Sequence, residues 1–185
     1  MPETRADNVL MQKVRDGDLA KMAILFERHH RALFRYFVRL TGNRELSEDL
    51  VQDVYFRMLK YRQTYRDGHP FASWMYQVAR NAHIDSAQKR KAEVFEMPME
   101  EPASGEPDAS EVLSRRQDIG LLRRALAALP VEKREVLVLS RFQNLKYEQV
   151  ADILACDVGT VKVRVYRAIK ALSQIFFELA GEKAS

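Results

Sequence analysis

Between residues 144 and 172 the apolar positions fall at steps of three and four. Val158, Val161, Val165, Ile169 and Leu172 share one stripe, which predicts an amphipathic helix with that face toward a core. The opposite stripe carries Lys162, Val163, Tyr166, Arg167 and Lys170, with Thr160 and Arg164 on its flanks. Cations, a phenol and small apolar groups at this spacing suit a major groove. Asp157 is placed to cap the helix through the backbone N–H groups near Gly159 and Thr160. A shorter helix and a tight turn precede it, so the pair is a helix-turn-helix candidate. The same hairpin also serves inside ordinary helical bundles, with its charges merely solvated.

Helical periodicity extends over the rest of the chain. The Asp16-Gly17-Asp18 punctuation ends a short first helix and can cap a longer one to about Leu40, with Met22, Phe26, Leu33, Phe37 and Leu40 in phase and Gly42 at the C-terminal cap position. His29 and His30 lie in that helix about 100° apart, unlike an i, i+4 metal pair, and so suit packing or surface roles. Asn43 caps a third helix, whose apolar stripe is Leu46, Leu50, Val54 and Met58. Beside it run Asp49, Gln52, Asp53 and Phe56, a set of carboxylates, an amide and a ring that reads either as a docking surface or as a solvated face.

Asp67-Gly68-His69-Pro70 breaks the pattern as a loop, since Pro70 disfavours helical geometry at His69. Phe71, Trp74, Met75 and Val78 then open a helix. Tyr65, Phe71, Trp74 and Tyr76 surround a loop followed by Arg80, Asn81, Lys89, Arg90 and Lys91. Rings interleaved with cations suit unpaired bases and their phosphates. A core helix with a basic end fits equally, and packing is the simpler role for Trp74 and Met75.

Residues 92–114 differ from everything around them. Glu93, Glu96, Glu100, Glu101, Glu106, Asp108 and Glu111 occur with no Lys or Arg, among Pro98, Pro102, Gly105 and Pro107. This composition predicts a flexible acidic linker. Its full extension of about 75 Å, at roughly 3.3 Å per residue, matches two turns of duplex at about 70 Å. The second domain opens near Arg115 with Ile119, Leu122, Leu126 and Leu129 on one helical face, stopped by Pro130. Val136, Leu137, Leu139 and Phe142 follow, and Ile175, Phe176 and Phe177 extend the last helix as expected core.

Composition narrows the class. The chain has 185 residues, seven glycines, six prolines and 46% hydrophobic content. That supports two small all-α domains, 1–91 and 115–185, around the linker. A net charge of +4 permits a polyanionic partner without demanding one. The single Cys156 excludes an internal disulfide and suits a reducing compartment, where inert burial is the expected role of the thiol. No run is long and apolar enough for a signal peptide or a membrane span, so a soluble cytoplasmic protein is expected. No spaced His/Glu set suits a metal, and Asp157 beside Cys156 disfavours a thiolate, which argues against a metal-dependent or cysteine enzyme. No cofactor is expected.

Taken together, the motifs resemble a bacterial RNA polymerase sigma factor of the extracytoplasmic-function (ECF) type, from Leu10 to Leu172. SEDLVQDVYFRML is similar to the family's core-polymerase-binding helix and FASWMYQVARNAHID to its promoter-melting helix. The stretch from ALPVEKREV to VYRAIKAL is similar to its promoter-reading domain. The resemblance implies that Asp49, Gln52, Asp53 and Phe56 meet core polymerase. It places Tyr65, Arg66, Phe71, Trp74, Arg80, Asn81, Asp85, Lys89 and Arg90 at the minus-ten element, where a base is flipped at a cost of a few kcal/mol. Thr160, Lys162, Val163, Arg164, Tyr166, Arg167 and Lys170 fall on the minus-thirty-five face. The implied partners are core RNA polymerase, duplex and single-stranded promoter DNA, and an anti-sigma factor. The implied domains are region 2 (1–91) and region 4 (115–185), with the linker in the polymerase channel.

Two residues depart from the family pattern. Lys146 stands where a Ser or Thr usually caps the first hairpin helix, a loss of about 1 kcal/mol. Val163 replaces a commonly polar reading residue, which favours contact with a thymine methyl. No sensory domain is expected before Val9 or after Ala180, so control would rest on a separate protein. The rival reading is a stand-alone helix-turn-helix regulator, which would need no acidic stripe with Phe56.

Overall fold

The computed structural model describes the backbone of residues 2–94 and 111–182, all of its regular structure helical. In order these are α1 (Pro2–Arg15), α2 (Lys21–Thr41), α3 (Arg44–Lys60), a 3-10 turn (Arg62–Thr64) and α4 (Phe71–Val94). After residues 95–110 come α5 (Glu111–Ala128), α6 (Val131–Leu137) running into a π turn (Val138–Phe142), α7 (Tyr147–Leu154) and α8 (Val158–Glu182). The central part of the expected linker lies outside the described residues. Its ends are helical, because α4 runs on to Val94 and α5 already begins at Glu111.

Local chemistry explains the boundaries. α2 stops at Gly42, whose left-handed φ of 69° lets its N–H close on the Val38 carbonyl. Asn43 then starts α3 by accepting from the Leu46 N–H at 2.9 Å. The expected cap at Asp18 does not form: α2 begins at Lys21 with no side-chain cap, and Asp18 instead pairs with the Lys21 ammonium at 3.6 Å. A second signal lies far away in sequence. Asn8 of α1 accepts from the Phe71 N–H at 2.8 Å, so α1 caps α4 across the fold.

The first half packs α1, α2, α3 and α4 around Leu33, Phe37, Val54, Met58 and Met75, all essentially inaccessible. In the second half, α5 to α8 close over Leu129, Val136, Leu139, Val150, Val161 and Val165. The buried face of α5 is Leu121, Ala125 and Leu126, whereas Ile119 is 49% exposed. The expected α5 face is therefore rotated. Ile119 and Leu122 line an apolar groove with Leu172 and Phe176 instead. Phe177 is exposed rather than core, while Ile175 packs against the core from the α8 extension.

The two halves touch directly. α4 lies against α7, and α2 against α5, α6 and the π turn, so the buried apolar cluster is continuous from Met11 to Ala168. Arg134 donates to the Leu40 carbonyl at 2.5 Å and to the Ala127 and Leu129 carbonyls, joining the C-terminal ends of α2 and α5. The Arg39 guanidinium sits 4.6 Å above the Phe142 ring.

Candidate nucleic-acid interface

The hairpin forms as its residues direct. α7 ends at Leu154, Ala155 follows in a left-handed turn, with φ 50°, and Asp157 immediately precedes α8. The Asp157 carboxylate accepts from the Thr160 N–H at 2.7 Å and from the Thr160 hydroxyl at 2.6 Å. Those two hydrogen bonds hold the Asp157 carboxyl below its ordinary range. Gly159 is the residue that fits, since a Cβ there would lie 2.9 Å from the Asp157 carboxylate. Lys146 offers no capping oxygen, but Gln149 partly compensates by accepting from the Lys146 N–H at 3.1 Å.

Val161, Val165 and Ala168 hold α8 on the core, which leaves Ile169 39% exposed, outside the stripe in which its spacing had placed it. Ala168 takes that place because the true period of 3.6 drifts away from Ile169. The outer face presents Lys162, Val163, Arg164, Tyr166, Arg167 and Lys170 to solvent, with Tyr166 69% exposed. Thr160 lies at the edge, its hydroxyl committed to Asp157. Among the described residues, none of these four cations forms an ion pair within the chain. They form an unneutralised row, the arrangement that phosphate contact requires.

On α3, Asp49, Gln52 and Phe56 are exposed, with Phe56 at 64%. Asp53 is half-exposed and accepts from Arg57 Nε at 2.8 Å. Arg57 also donates to Asp85 of α4 at 2.5 Å, so one guanidinium connects the acidic stripe to the next helix. Its partial burial opposes the charge, but Asp85 and Asp53 more than offset that and raise its pKa.

The loop before α4 takes the packed role expected for Trp74 and extends it to Tyr65 and Phe71, in place of rings open to unpaired bases. Tyr65, Phe71 and Trp74 are buried, so none offers a face to an unpaired base in this structure. They are the loop's supports. The Tyr65 hydroxyl donates to the His69 carbonyl at 2.8 Å, and its ring meets Trp74 edge-on at 5.4 Å. Burial pushes the Tyr65 phenol up to about 12. Trp74 Nε1 donates to the Thr64 hydroxyl at 3.3 Å. Arg15 of α1 grips Asp67 at 2.7 Å and Gln12 donates to the same carboxylate at 3.0 Å. Arg66, Asn81, Lys89 and Arg90 lie on the surface near this unit or farther along α4, and Asp85 is held by Arg57. Arg80 is not open: its Nε lies 3.2 Å from both carboxylate oxygens of Glu135 in the second half.

Sequence reasoning missed Arg57, Asn8, Arg15 and Glu135. Only Arg57 left a readable signal, its i, i+4 spacing from Asp53. Among the described residues no group of three or more His, Cys, Asp or Glu could hold a metal ion, and no helix is long and apolar enough to cross a membrane.

An exposed acidic stripe, a braced loop with a basic helix, and a cationic helix-turn-helix in one helical chain define a sigma-70-type initiation factor. Residues 25–93 match the family model of sigma-70 region 2, and residues 119–172 that of sigma-70 region 4. The chain is 33% identical over 166 residues to the ECF RNA polymerase sigma factor SigL of Mycobacterium tuberculosis, covering 88% of this chain and 93% of that protein. Its structure is similar to that of sigma factor RpoE in complex with the anti-sigma factor NepR from Bartonella quintana. That match has a TM-score of 0.69 and 25% identity, over 83% of this chain and 94% of that one. The fold also matches CnrH in complex with the cytosolic domain of CnrY, with a TM-score of 0.72 at 21% identity over 94% and 98% of the chains. The protein belongs to the ECF family of RNA polymerase sigma factors. It is an alternative sigma factor directing promoter-specific transcription, and a stand-alone regulator is not favoured. Sigma factors are non-enzymatic initiation factors.

Proposed function

We propose that three surfaces of this chain divide the work of initiation. Asp49, Gln52, Asp53 and Phe56 on α3 dock core RNA polymerase, with the exposed Phe56 ring as the apolar anchor among carboxylates. The loop at residues 65–70 and the α4 side chains Arg80, Asn81, Asp85, Lys89 and Arg90 receive the minus-ten strand. In that role Tyr65, Phe71 and Trp74 shape and stiffen the loop. Arg66 is exposed on it and available to a phosphate. Lys162, Val163, Arg164, Tyr166, Arg167 and Lys170 read the minus-thirty-five duplex, with Thr160 fixing the helix start. Arg164 and Arg167 are the best placed for phosphate or guanine, and Val163 for a thymine methyl.

The observation that carries this reading is the unpaired cationic row on α8 in the same chain as the exposed acidic stripe on α3. A DNA-binding regulator needs the first and has no use for the second. The chain acts without a catalytic centre or cofactor of its own, in the cytoplasm, where its polymerase and DNA are. Its control falls to an anti-sigma factor, as in the complex of its structural relative RpoE with the anti-sigma factor NepR. The test is run-off transcription with purified core polymerase over a panel of promoter fragments. Promoter-specific transcripts are expected only when this chain is added, and none on any fragment would overturn the reading.

A further inference from the structure

One face of α1 is bonded along the length of the loop that precedes α4. Asn8, Gln12 and Arg15 follow one another at steps of four and three, a single stripe of the helix. Their partners run in the opposite order. Asn8 Oδ1 accepts from the Phe71 N–H at 2.8 Å, Gln12 Nε2 donates to Asp67 at 3.0 Å, and Arg15 Nη1 donates to Asp67 at 2.7 Å and to the Tyr65 carbonyl at 3.3 Å. Gln63 Nε2 completes the row by donating to the Arg15 carbonyl at 2.8 Å. α1 is anchored in its turn. Met11 and Val14 are buried in the core, and the buried Asp7 carboxylate accepts from Arg28 of α2 at 2.7 Å and lies 2.8 Å from the His29 ring nitrogen.

The loop needs such fixed points. Gly68 turns the chain with a left-handed φ of 78°, and Arg66, Asp67 and Gly68 stand exposed at the tip. A free loop of this kind loses conformational entropy when it meets a strand, whereas a loop already held in shape has lost it beforehand. Charge adds a second requirement. Asp67 adjoins Arg66, the cation open to a phosphate, and an unpaired carboxylate there would repel that phosphate. The Arg15 guanidinium, mostly covered by the fold, neutralises Asp67 and ties it back toward α1.

We propose that α1 is the positioning element of this loop, with Arg15 its principal residue: it fastens and neutralises Asp67 so that Arg66 and the loop backbone meet the minus-ten strand in one fixed shape. This role rests on the reading of residues 65–70 as the strand-receiving loop. Arg15 acts through Asp67 and the Tyr65 carbonyl, and touches neither polymerase nor DNA itself.

Open-complex formation by the full chain with purified core polymerase tests it, on a promoter fragment that the wild type transcribes in the run-off assay. At saturating core enzyme, Arg15→Ala is expected to lower the permanganate reactivity of the opened strand several-fold. Its affinity for core polymerase, read by fluorescence titration, is expected to stay as in wild type. Arg15→Lys, which keeps the charge, should recover most of the loss, and adding Asp67→Ala to Arg15→Ala should cost nothing further. Circular dichroism checks that helix content is kept; should Arg15→Ala lose helix, Gln12→Ala carries the same comparison. Wild-type opening by the folded variant, a parallel fall in core affinity, or independent, multiplying effects of Arg15→Ala and Asp67→Ala would overturn the positioning role. A wild type that transcribes no fragment would instead overturn the reading of the loop, so the two failures are distinct.

Discussion

Arg57 of α3 donates to Asp85 of α4 at 2.5 Å while its Nε holds Asp53 at 2.8 Å. A single guanidinium thus fixes one carboxylate assigned to polymerase docking and one assigned to the melting helix. Arg57 is mostly covered and its partners are half-exposed, so solvent screens the bridge and each arm is worth only about 0.5–1 kcal/mol.

A double-mutant cycle measures that link. Arg57→Ala and Asp85→Ala should each lower stability, with a coupling energy of about 0.5–1 kcal/mol in urea denaturation. Strict additivity would show that the bridge does not hold in solution.

Asp53→Ala should weaken binding to core polymerase by roughly fivefold or more, about 1 kcal/mol. The same variant should bind minus-thirty-five duplex as wild type does, because Asp53 and α8 lie in different halves. Fluorescence titration against core enzyme, beside a duplex-binding assay, separates the two effects.

Arg167→Ala should reduce minus-thirty-five binding several-fold. If Arg167 meets a phosphate, the slope of log affinity against log salt should shrink by about 0.9. A titration between 50 and 200 mM salt reads it, and an unchanged slope assigns Arg167 to a base instead.

His83 yields a pH prediction. Burial lowers its pKa first, and Arg90, Arg134 and Arg80 add to that, so the neutral ring is the folded form. The unfolded chain then binds more protons as pH falls, and stability is full above the ordinary His pKa of about 6.5 and is lost below it. Denaturation midpoints should fall between pH 7 and pH 5 in wild type, and by less in His83→Gln.

Much of the chain's local structure is legible in its residues because it depends on neighbours. The Asn43 and Asp157 caps, the Gly42 stop and the loop at Pro70 involve groups within a few positions of each other. The exposure of the α8 row is also local, since Lys162, Tyr166 and Arg167 must point away from Val161 and Val165. Errors appear where a helix has two apolar faces. Ile119 and Ile169 fit a stripe by spacing, yet packing chose Leu121 and Ala168, whose positions suit the neighbouring helices better.

What the sequence by itself determined is therefore the helices, their ends and the chemistry of each face. Periodicity and capping are properties of residues three or four apart, and they carry the family motifs with them. Only the tertiary structure decided that Tyr65, Phe71 and Trp74 support a loop, that Arg57 joins two surfaces, and that Arg80 is held by Glu135 from 55 residues away. Which distant charge meets which depends on how the helices stack, and a pattern of apolar positions specifies that a face is buried without naming what lies across it.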